Sequence, residues 1–206
     1  MTPETESILE LFRSTGAYLQ GHFRLTSGLH SPEYLQCALV LQHPEAAEKL
    51  GRLLAAELRA LAGGKIDLVV SPALGGVIIG HEAARALGAR FLFTERDAES
   101  GKMTLRRGFT TGAEETAVVV EDVITTGGST RDVVDALRAA GTRVAAAGSI
   151  VDRSGGRASV GVPRVALATL EVVSYRPDQC PLCAGGIPVV KPGSRPTPQA
   201  APPAKV

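Results

Sequence analysis

The sequence has little net charge, few cysteines and no long apolar run, and each shortage argues against a class of protein. Its 206 residues hold 22 Lys and Arg against 21 Asp and Glu, so no overall field recruits nucleic acid or an acidic membrane. Three cysteines and a start unlike a signal peptide argue against a secreted disulfide framework. The apolar stretches are far shorter than the roughly 20 residues of a membrane span. We therefore expect a cytoplasmic protein whose partners are small molecules, with no nucleic acid and no membrane bound.

The hydrophobic content and the order of segments along the chain favour a single α/β domain. Hydrophobic residues make up 44% of the chain, which is enough for one sizeable core. Segments with helical spacing alternate with strand-like apolar runs, an order typical of a parallel sheet with helices on its faces. Strands are predicted at 66–70, 90–94, 116–120 and 144–151, and helices near the N-terminus, from Pro44 to Gly63, at 77–87 and around 133–137. Sites in such sheets lie beyond the carboxyl ends of the strands.

Three other segments are less regular. Residues 23–39 carry turn signals and then an alternating run through Ala38, which predicts a strand in a β-rich entrance. Residues 95–112 are polar and basic, and they are long enough for a mobile flap. We expect one domain over residues 1–190 and a disordered tail rich in Pro and Ala over 191–206.

The most informative stretch is VVVEDVITTGGST, residues 118–130. A buried type of strand leads into two acids and then into a loop of small residues that opens a helix. Glycines let the backbone approach an anion closely, and the amides and hydroxyls of the loop would donate hydrogen bonds to it. The stretch lacks the Lys of a Walker A loop and the G-x-G-x-x-G spacing of dinucleotide sites. It therefore predicts a loop that binds a phosphate monoester.

The two acids, Glu121 and Asp122, need a different target, since they would repel a phosphate. Ribose hydroxyls or a hydrated Mg²⁺ would satisfy that need, so acids and loop together predict a sugar phosphate site. The alternative is that the loop only caps the helix and that both acids are solvated.

Residues 118–130 resemble the phosphoribosyl diphosphate signature of type I phosphoribosyltransferases, and other segments resemble the orotate phosphoribosyltransferases. Residues 23–34 are similar to the base-binding segment of that family and residues 71–76 to its pyrophosphate loop, while Arg153 stands where the family carries an orotate-contacting Arg. The likeness covers about residues 20–155 in the right order, which is far more specific than one motif. It implies the type I phosphoribosyltransferase-like fold, with a mainly parallel sheet, a small hood over roughly residues 1–40 and a mobile flap.

The resemblance also implies an activity. This is transfer of the 5-phosphoribosyl group from phosphoribosyl diphosphate to orotate, giving orotidine 5′-phosphate and diphosphate in UMP biosynthesis. The resemblance also implies Mg²⁺ as cofactor, bound to the diphosphate. In such enzymes the flap reaches the active site of a neighbouring subunit, so a homodimer is implied. Two alternatives stay open: a phosphoribosyltransferase for a purine or another base, and a non-catalytic sensor of phosphoribosyl diphosphate. An adhesive or structural domain would leave the loop, the acids and the flap without a common explanation.

Candidate site residues follow from the chemistry and the resemblance together. The catalytic candidates are Glu121, Asp122 and Lys102. Binding of phosphoribosyl diphosphate is assigned to Arg96, Lys102, Arg106, Ala73, Leu74, Gly75, Glu121, Asp122, Val123, Ile124, Thr125, Thr126, Gly127, Gly128 and Ser129. Binding of orotate is assigned to Thr26, Ser27, Thr125 and Arg153, because a guanidinium pairs well with the carboxylate that orotate carries. No residue is assigned as a direct metal ligand.

The sequence departs from the family pattern in the flap and at two other positions. Many orotate enzymes have a Lys-rich flap with a His, so the flap GKMTLRRGF is a variant form. Many orotate enzymes carry Lys where this chain has Thr26, and two aspartates where it begins with Glu121. The flap cations could close over a substrate with several negative charges, and Lys102 or Arg106 could replace the Lys missing at position 26. The alternative is a solvated basic loop.

The cysteines and histidines suggest less. Cys180 and Cys183 have the spacing of half a zinc site, but no second pair and no nearby histidine accompanies them in the sequence. We therefore expect a structural or idle role for both, and a core position for Cys37. The histidines have no nucleophile or metal partner in sequence, so core or surface roles are expected for His22, His30, His43 and His81.

Overall fold

The protein is described by a computed structural model that covers residues 3–25 and 27–192, with side chains from residue 5 onward. Its strands are β1 (Tyr18–Arg24), β2 (His30–Leu35), β3 (Leu68–Pro72), β4 (Arg90–Arg96), β5 (Met103–Leu105), β6 (Thr116–Ile124), β7 (Arg143–Asp152) and β8 (Arg164–Thr169). Its helices are α1 (Pro3–Ser14), α2 (Cys37–Leu41), α3 (Pro44–Ala62), α4 (Gly76–Leu87), α5 (Gly128–Ala139) and α6 (Pro181–Ala184). The chain divides into a larger unit, up to Tyr18 and Cys37–Val172, and a smaller unit, Leu19–Gln36 and from Val173 on.

The larger unit is built on a six-stranded sheet in the order β5-β4-β3-β6-β7-β8. All neighbours pair in parallel except β4 and β5, which are antiparallel. Every residue of β3 is buried, as expected for a strand covered on both faces. The predicted mainly parallel sheet flanked by helices is confirmed.

Helices cover the sheet because their apolar positions recur at helical spacing. Leu50, Leu54 and Leu58 of α3 are completely buried, and this helix ends at Gly63 in the left-handed conformation. Gly51 allows α3 to pack tightly on α4, since a Cβ there would lie 2.5 Å from the Cβ of Glu82. On α5, Val133, Val134 and Leu137 belong to a core cluster with apolar residues of β3, β4, β6 and β7.

Three elements differ from the sequence-based expectation. The run predicted as a strand through Ala38 ends at Leu35, and α2 follows, because Cys37, Val40 and Leu41 are buried at helical rather than alternate positions. The predicted flap contains β5, whose Met103 is buried in the core. Strand β8 was not predicted. Among the helices of the described residues, none has the length and apolarity needed to cross a membrane.

The smaller unit joins β1 and β2, apart from Tyr18, to the C-terminal segment. Val190 accepts a hydrogen bond from the Arg24 N–H and donates one to the His22 carbonyl, both at 2.8 Å. The backbones of His30 and Tyr175 exchange two hydrogen bonds of 2.8 Å. The hood expected over residues 1–40 is divided between the two units. Helices α1 and α2 belong to the larger unit, and the smaller unit contains β1 and β2, apart from Tyr18, together with residues from Val173 onward. Most of the predicted disordered tail lies outside the described residues.

Candidate active site

The two predicted phosphate-binding segments meet at one edge of the larger unit's sheet. Strands β3 and β6 are neighbours, yet the chain continues from β3 to β4 on one side and from β6 to β7 on the other. This arrangement opens a crevice between the carboxyl ends of β3 and β6, the usual place for a ligand in such sheets. Helices α4 and α5 both begin there, so their unpaired N–H groups and positive dipole ends face the crevice.

Gly127 shapes the loop between β6 and α5. Its φ of 79° lies in the left-handed region, and a Cβ would lie 2.9 Å from the Cγ1 of Val160, so both conformation and space require glycine. The first intrahelical bond of α5 runs from the Arg131 N–H to the Gly127 carbonyl, at 2.9 Å. The N–H groups of residues 128–130 precede this bond and therefore lack intrahelical acceptors. Thr125 and Thr126 are exposed beside them. The loop can thus surround an anion with donors.

The acid pair lies inside β6, which continues four residues beyond its predicted end at Val120. Glu121 is buried, whereas Asp122 is half-buried and its Oδ1 accepts a hydrogen bond from the Val123 N–H at 2.9 Å. Burial, and then the charge of Asp122, raises the pKa of the Glu121 carboxyl well above its usual range. A cation bound beside the two carboxylates would offset both effects.

The loop after β3 packs directly on Asp122. A Cβ at Gly75 would lie 2.6 Å from both carboxylate oxygens of Asp122, and one at Gly76 would lie 3.0 Å from the Val120 carbonyl oxygen. The peptide between Ala73 and Leu74 is cis, and the Leu74 side chain is 87% exposed. The predicted pyrophosphate loop and the acid pair therefore form one site, although they lie far apart in the sequence.

The flap cations occupy different positions. Arg96 ends β4, and its guanidinium donates to the Oγ of Ser129 at 3.0 Å and lies 3.6 Å from the carboxylate of Asp132. Arg96 is thereby held at the start of α5. Lys102 and Arg106 flank β5, the outermost strand, and both are exposed. The structure thus brings one of the predicted flap cations, Arg96, to the phosphate loop.

Arg153 follows β7 directly, and its N–H donates to the Ile124 carbonyl at 2.8 Å. Its charge and those of Glu121 and Asp122 all act on the thiol of Cys37. Burial raises the pKa of that thiol well above its usual value, the two acids raise it further, and Arg153 lowers it. Arg153 therefore lies beside the end of β6, the strand that carries the acid pair, and Cys37 is a buried core residue as predicted.

The turn that carries Arg153 is fixed by Asp152, a residue that sequence reasoning missed. Its carboxylate accepts hydrogen bonds from the N–H and hydroxyl of Ser154, at 2.8 and 2.6 Å, and from the guanidinium of Arg164 at 2.6 Å. Burial alone would raise the pKa of Asp152, but these hydrogen bonds and the charge of Arg164 outweigh it and lower the pKa. An Asp at the predicted end of a strand with Ser two residues further on was the available signal.

The remaining predicted residues have mixed positions. Ile124 is buried in the core cluster, so only its backbone is available to a ligand. Ser27 is exposed in the smaller unit, and Thr26 lies outside the described residues. Their predicted contacts with orotate stay predictions.

The acid pair also suits Mg²⁺. This ion takes one or two protein carboxylates and completes its shell with water and substrate oxygens. Glu121 and Asp122 offer hard oxygen donors beside two loops suited to phosphates. Burial, and then the charge of Asp122, raises the pKa of Glu121, and a cation beside the pair would favour its charged form. The residues therefore fit the ion that the sequence predicted.

Comparison with known proteins agrees with this site. Residues 38–167 match the phosphoribosyl transferase domain. The orotate phosphoribosyltransferase of Pelotomaculum thermopropionicum is 58% identical over 92% of this chain and 97% of its own length. That of Heliobacterium modesticaldum is 54% identical over 92% of this chain and 98% of its own length. The crystal structure of orotate phosphoribosyltransferase from Aeropyrum pernix matches with a TM-score of 0.65 at 27% identity, covering 80% of this chain and 94% of that chain.

The sheet, its crevice and the matched domain together define a phosphoribosyltransferase. Identities above one half over nearly the whole length of the relatives narrow the class: the chain belongs to the orotate phosphoribosyltransferase family. The family predicted from residues 118–130 and their companion segments is confirmed.

Proposed function

We propose that the protein transfers the 5-phosphoribosyl group from phosphoribosyl diphosphate to orotate, which yields orotidine 5′-phosphate and diphosphate. The observation that carries this proposal is the meeting of three elements at the crevice. The loop at 73–75, the acid pair and the loop at 125–129 lie together, and each suits one part of a phosphoribosyl diphosphate molecule. The names of the relatives support orotate as the accepting base.

Each part of the substrate has a matching group. The 5′-phosphate binds the amides and hydroxyls of residues 125–129 at the start of α5. Glu121 and Asp122 accept hydrogen bonds from the ribose hydroxyls. The amides of residues 73–75 and the guanidinium of Arg96 face the diphosphate. These contacts fix the ribose between two anion-binding loops.

The reaction then needs no covalent nucleophile from the protein. A ring nitrogen of orotate forms a bond to the anomeric carbon as the bond to the diphosphate oxygen breaks, and the electron pair leaves with diphosphate. The proton of that ring nitrogen passes to solvent or to a diphosphate oxygen. Holding both reactants in line lowers the entropic part of the barrier. Arg96, with Lys102 and Arg106 as further candidates, stabilises the negative charge that grows on the leaving group. Mg²⁺, held by Glu121, Asp122 and substrate oxygens, would supply additional positive charge there.

Arg153 selects the base. Its planar guanidinium pairs with the carboxylate of orotate, and the Thr125 hydroxyl donates to or accepts from the ring. Uracil has the same ring without the carboxylate, so it is the matched control substrate. We expect orotate to be consumed and uracil to react at least about a hundredfold more slowly, the loss expected when a charged group of the site is left without its partner.

The decisive experiment mixes pure protein, Mg²⁺, phosphoribosyl diphosphate and orotate and follows the loss of orotate absorbance. Parallel reactions contain uracil, adenine, guanine or hypoxanthine. Asp122→Asn should lower kcat much more than it weakens binding of phosphoribosyl diphosphate, because the carboxylate acts on the ribose as charge develops. Consumption of a purine with orotate untouched would contradict the proposal, and so would an unchanged kcat in the variant.

We further propose a homodimer in which the flap of one chain serves the crevice of the other. Lys102 and Arg106 flank the outermost strand, and β4 and β3 lie between that strand and the crevice, a span of about 10 Å at the usual strand spacing. Mixing inactive Lys102→Ala and Asp122→Asn proteins tests this arrangement. Exchange of subunits should restore up to about a quarter of wild-type activity if the flap acts across the dimer. No recovery from a demonstrably exchanged dimer would contradict it. A cytoplasmic location is also proposed, because both substrates are charged metabolites.

A further inference from the structure

Four side chains of the smaller unit bring metal-binding atoms to one point. His22 lies on β1, His30 on β2, and Cys180 and Cys183 lie at α6, and their ligand atoms are all within 4.8 Å of one another. Two imidazole nitrogens and two thiol sulfurs are a common donor set of structural zinc sites. We infer that the smaller unit binds one Zn²⁺ through these four residues. For the cysteines this specifies the structural role that was one of the two expectations, and for His22 and His30 it replaces the expected core or surface roles. The pairs are about 150 residues apart in the chain, so only the fold brings them together.

Three nitrogen–sulfur distances fit a tetrahedral ion. Ligands at about 2.0–2.3 Å from zinc lie about 3.3–3.8 Å from one another in a tetrahedron. The Nε2 of His22 lies 3.5 Å from the Cys180 sulfur and 3.7 Å from the Cys183 sulfur, and the Nδ1 of His30 lies 3.3 Å from the Cys183 sulfur. The two ring nitrogens are 2.8 Å apart, so they need to separate by about half an ångström, which a small ring rotation provides.

His22 is held in the tautomer that a metal ligand requires. Its Nδ1 lies 2.7 Å from the carbonyl oxygen of Ile187. Because a carbonyl only accepts, Nδ1 carries the proton, and the lone pair of Nε2 points at the cluster. Histidine ligands of metals commonly donate their other N–H to a carbonyl in this way. His22, His30 and Cys180 are also buried, so their polar atoms need partners inside the protein.

The two cysteines lie in a tight turn that directs both sulfurs to one side. The N–H of Ala184 donates to the Cys180 carbonyl at 3.1 Å, and the N–H of Gly186 donates to the Cys183 carbonyl at 3.0 Å. Gly186 has a φ of 69°, which favours glycine at the end of this turn. Such a Cys-x-x-Cys turn supplies two ligands in many zinc sites.

The smaller unit also has a physical need for the ion. In the part of it that the structure describes, the buried apolar side chains are Phe23, Leu35 and Cys180, too few for a core. A two-stranded sheet is marginal alone, and units of about 40 residues usually need a metal or disulfides. The ion would cross-link β1, β2 and the C-terminal segment. His22 and His30, its ligands on the two strands, already form backbone hydrogen bonds to that segment. Four protein ligands leave no open coordination position, so the role is structural.

Metal analysis of the purified full-length protein, grown with zinc and dialysed against a metal-free buffer, tests the inference. Wild type should contain about one zinc ion per chain, and the Cys180→Ser/Cys183→Ser and His30→Ala variants should lose most of it. Cys37→Ala and His81→Ala are the matched controls and should keep it, since both residues lie outside the cluster. Protein reloaded with Co²⁺ should show thiolate-to-cobalt charge transfer that disappears in the double cysteine variant.

Thiol labelling of the wild-type protein tests for bound zinc even if the variants do not fold. Cys183 is exposed, so without an ion it should be alkylated by iodoacetamide, whereas bound zinc should protect it until a strong chelator is added. Mass spectrometry of the peptides reports the labelling, and the chelator should also lower the melting temperature. The inference is overturned if zinc-grown wild type is free of metal with a reactive Cys183, if Cys180 and Cys183 form a disulfide, or if the zinc content survives both cysteine substitutions.

Discussion

The contact between Gly75 and Asp122 predicts a functional defect from the addition of one methyl group. Gly75 has φ −54° and ψ −43°, which alanine adopts without strain, so Gly75→Ala should not disturb the backbone. The new Cβ would lie 2.6 Å from both carboxylate oxygens of Asp122. A carbon and an oxygen normally stay about 3.3 Å apart, so the carboxylate must move by about 0.7 Å.

The magnitude follows from what has to move. The carboxylate is the end of a flexible side chain, so it can rotate away at small cost, and the melting temperature should stay within about 2–4 °C of wild type. Catalysis is less tolerant, because a displacement near 1 Å of a positioning group costs about a hundredfold. We expect kcat/KM to fall about a hundredfold, which corresponds to about 2.7 kcal/mol of transition-state stabilisation.

The assay is orotate consumption at varied phosphoribosyl diphosphate, with thermal unfolding in parallel. Gly64→Ala is the matched control, since a Cβ there has nothing within 4 Å, and it should behave as wild type. Gly75→Ala made in an Asp122→Ala background should lower kcat/KM little further, because no carboxylate remains to be displaced. The reasoning is refuted if Gly75→Ala stays within twofold of wild type, or if its cost is equal in both backgrounds.

Three further predictions concern charged residues of the larger unit. Glu121→Gln should be less active than wild type but more stable above the raised pKa of Glu121. Burial raises that pKa, so the stability of wild type falls as pH rises through it, whereas that of the variant does not. Unfolding scans across pH should show a melting temperature a few degrees higher in the variant, and this gain should vanish in acid. Arg153→Lys should raise the KM for orotate about tenfold or more while leaving that for phosphoribosyl diphosphate nearly unchanged in steady-state kinetics, because the planar fork is lost; equal effects on both constants would argue against a base contact. Asp152→Asn should cost about 3 kcal/mol at neutral pH, since Arg164 is left buried without its partner. The lowered pKa of Asp152 means that its contribution is lost as pH falls through that pKa, so denaturation curves of wild type and variant should converge in acid.

The sheet and the phosphate loop could be predicted because their signals are local. The apolar runs of β3 and β6 and the small residues at 125–129 lie next to one another along the chain, and parallel sheets place such loops at one edge. Strand ends were less accessible: β6 continues through Glu121 and Asp122 because pairing with β7 outweighs their polarity. Helix α2 was missed because a short apolar run fits either a strand or a helix, and its burial decides between them.

What could not be predicted depends on pairing between distant segments. The contact of Gly75 with Asp122 forms because β3 and β6 are neighbours in the sheet, and no local sequence pattern predicts that pairing. The same holds for the four residues at the inferred zinc site, whose spacing in sequence gives no sign of their meeting. Strand β8 lies at the sheet edge and is mostly half-buried, so its apolar signal is weak. Long-range pairing was thus the part that needed a structure.

The make-up of the smaller unit sets an order of events during synthesis. Its first strands leave the ribosome early, but the segment that completes it, from Val173 on, is translated last. At usual elongation rates the nascent β1 and β2 would wait on the order of ten seconds, without their partner backbone, while the larger unit is made. A ribosome that stops before this segment would release a chain whose sheet of six strands can form, while the β1–β2 pair stays without the segment that completes its unit.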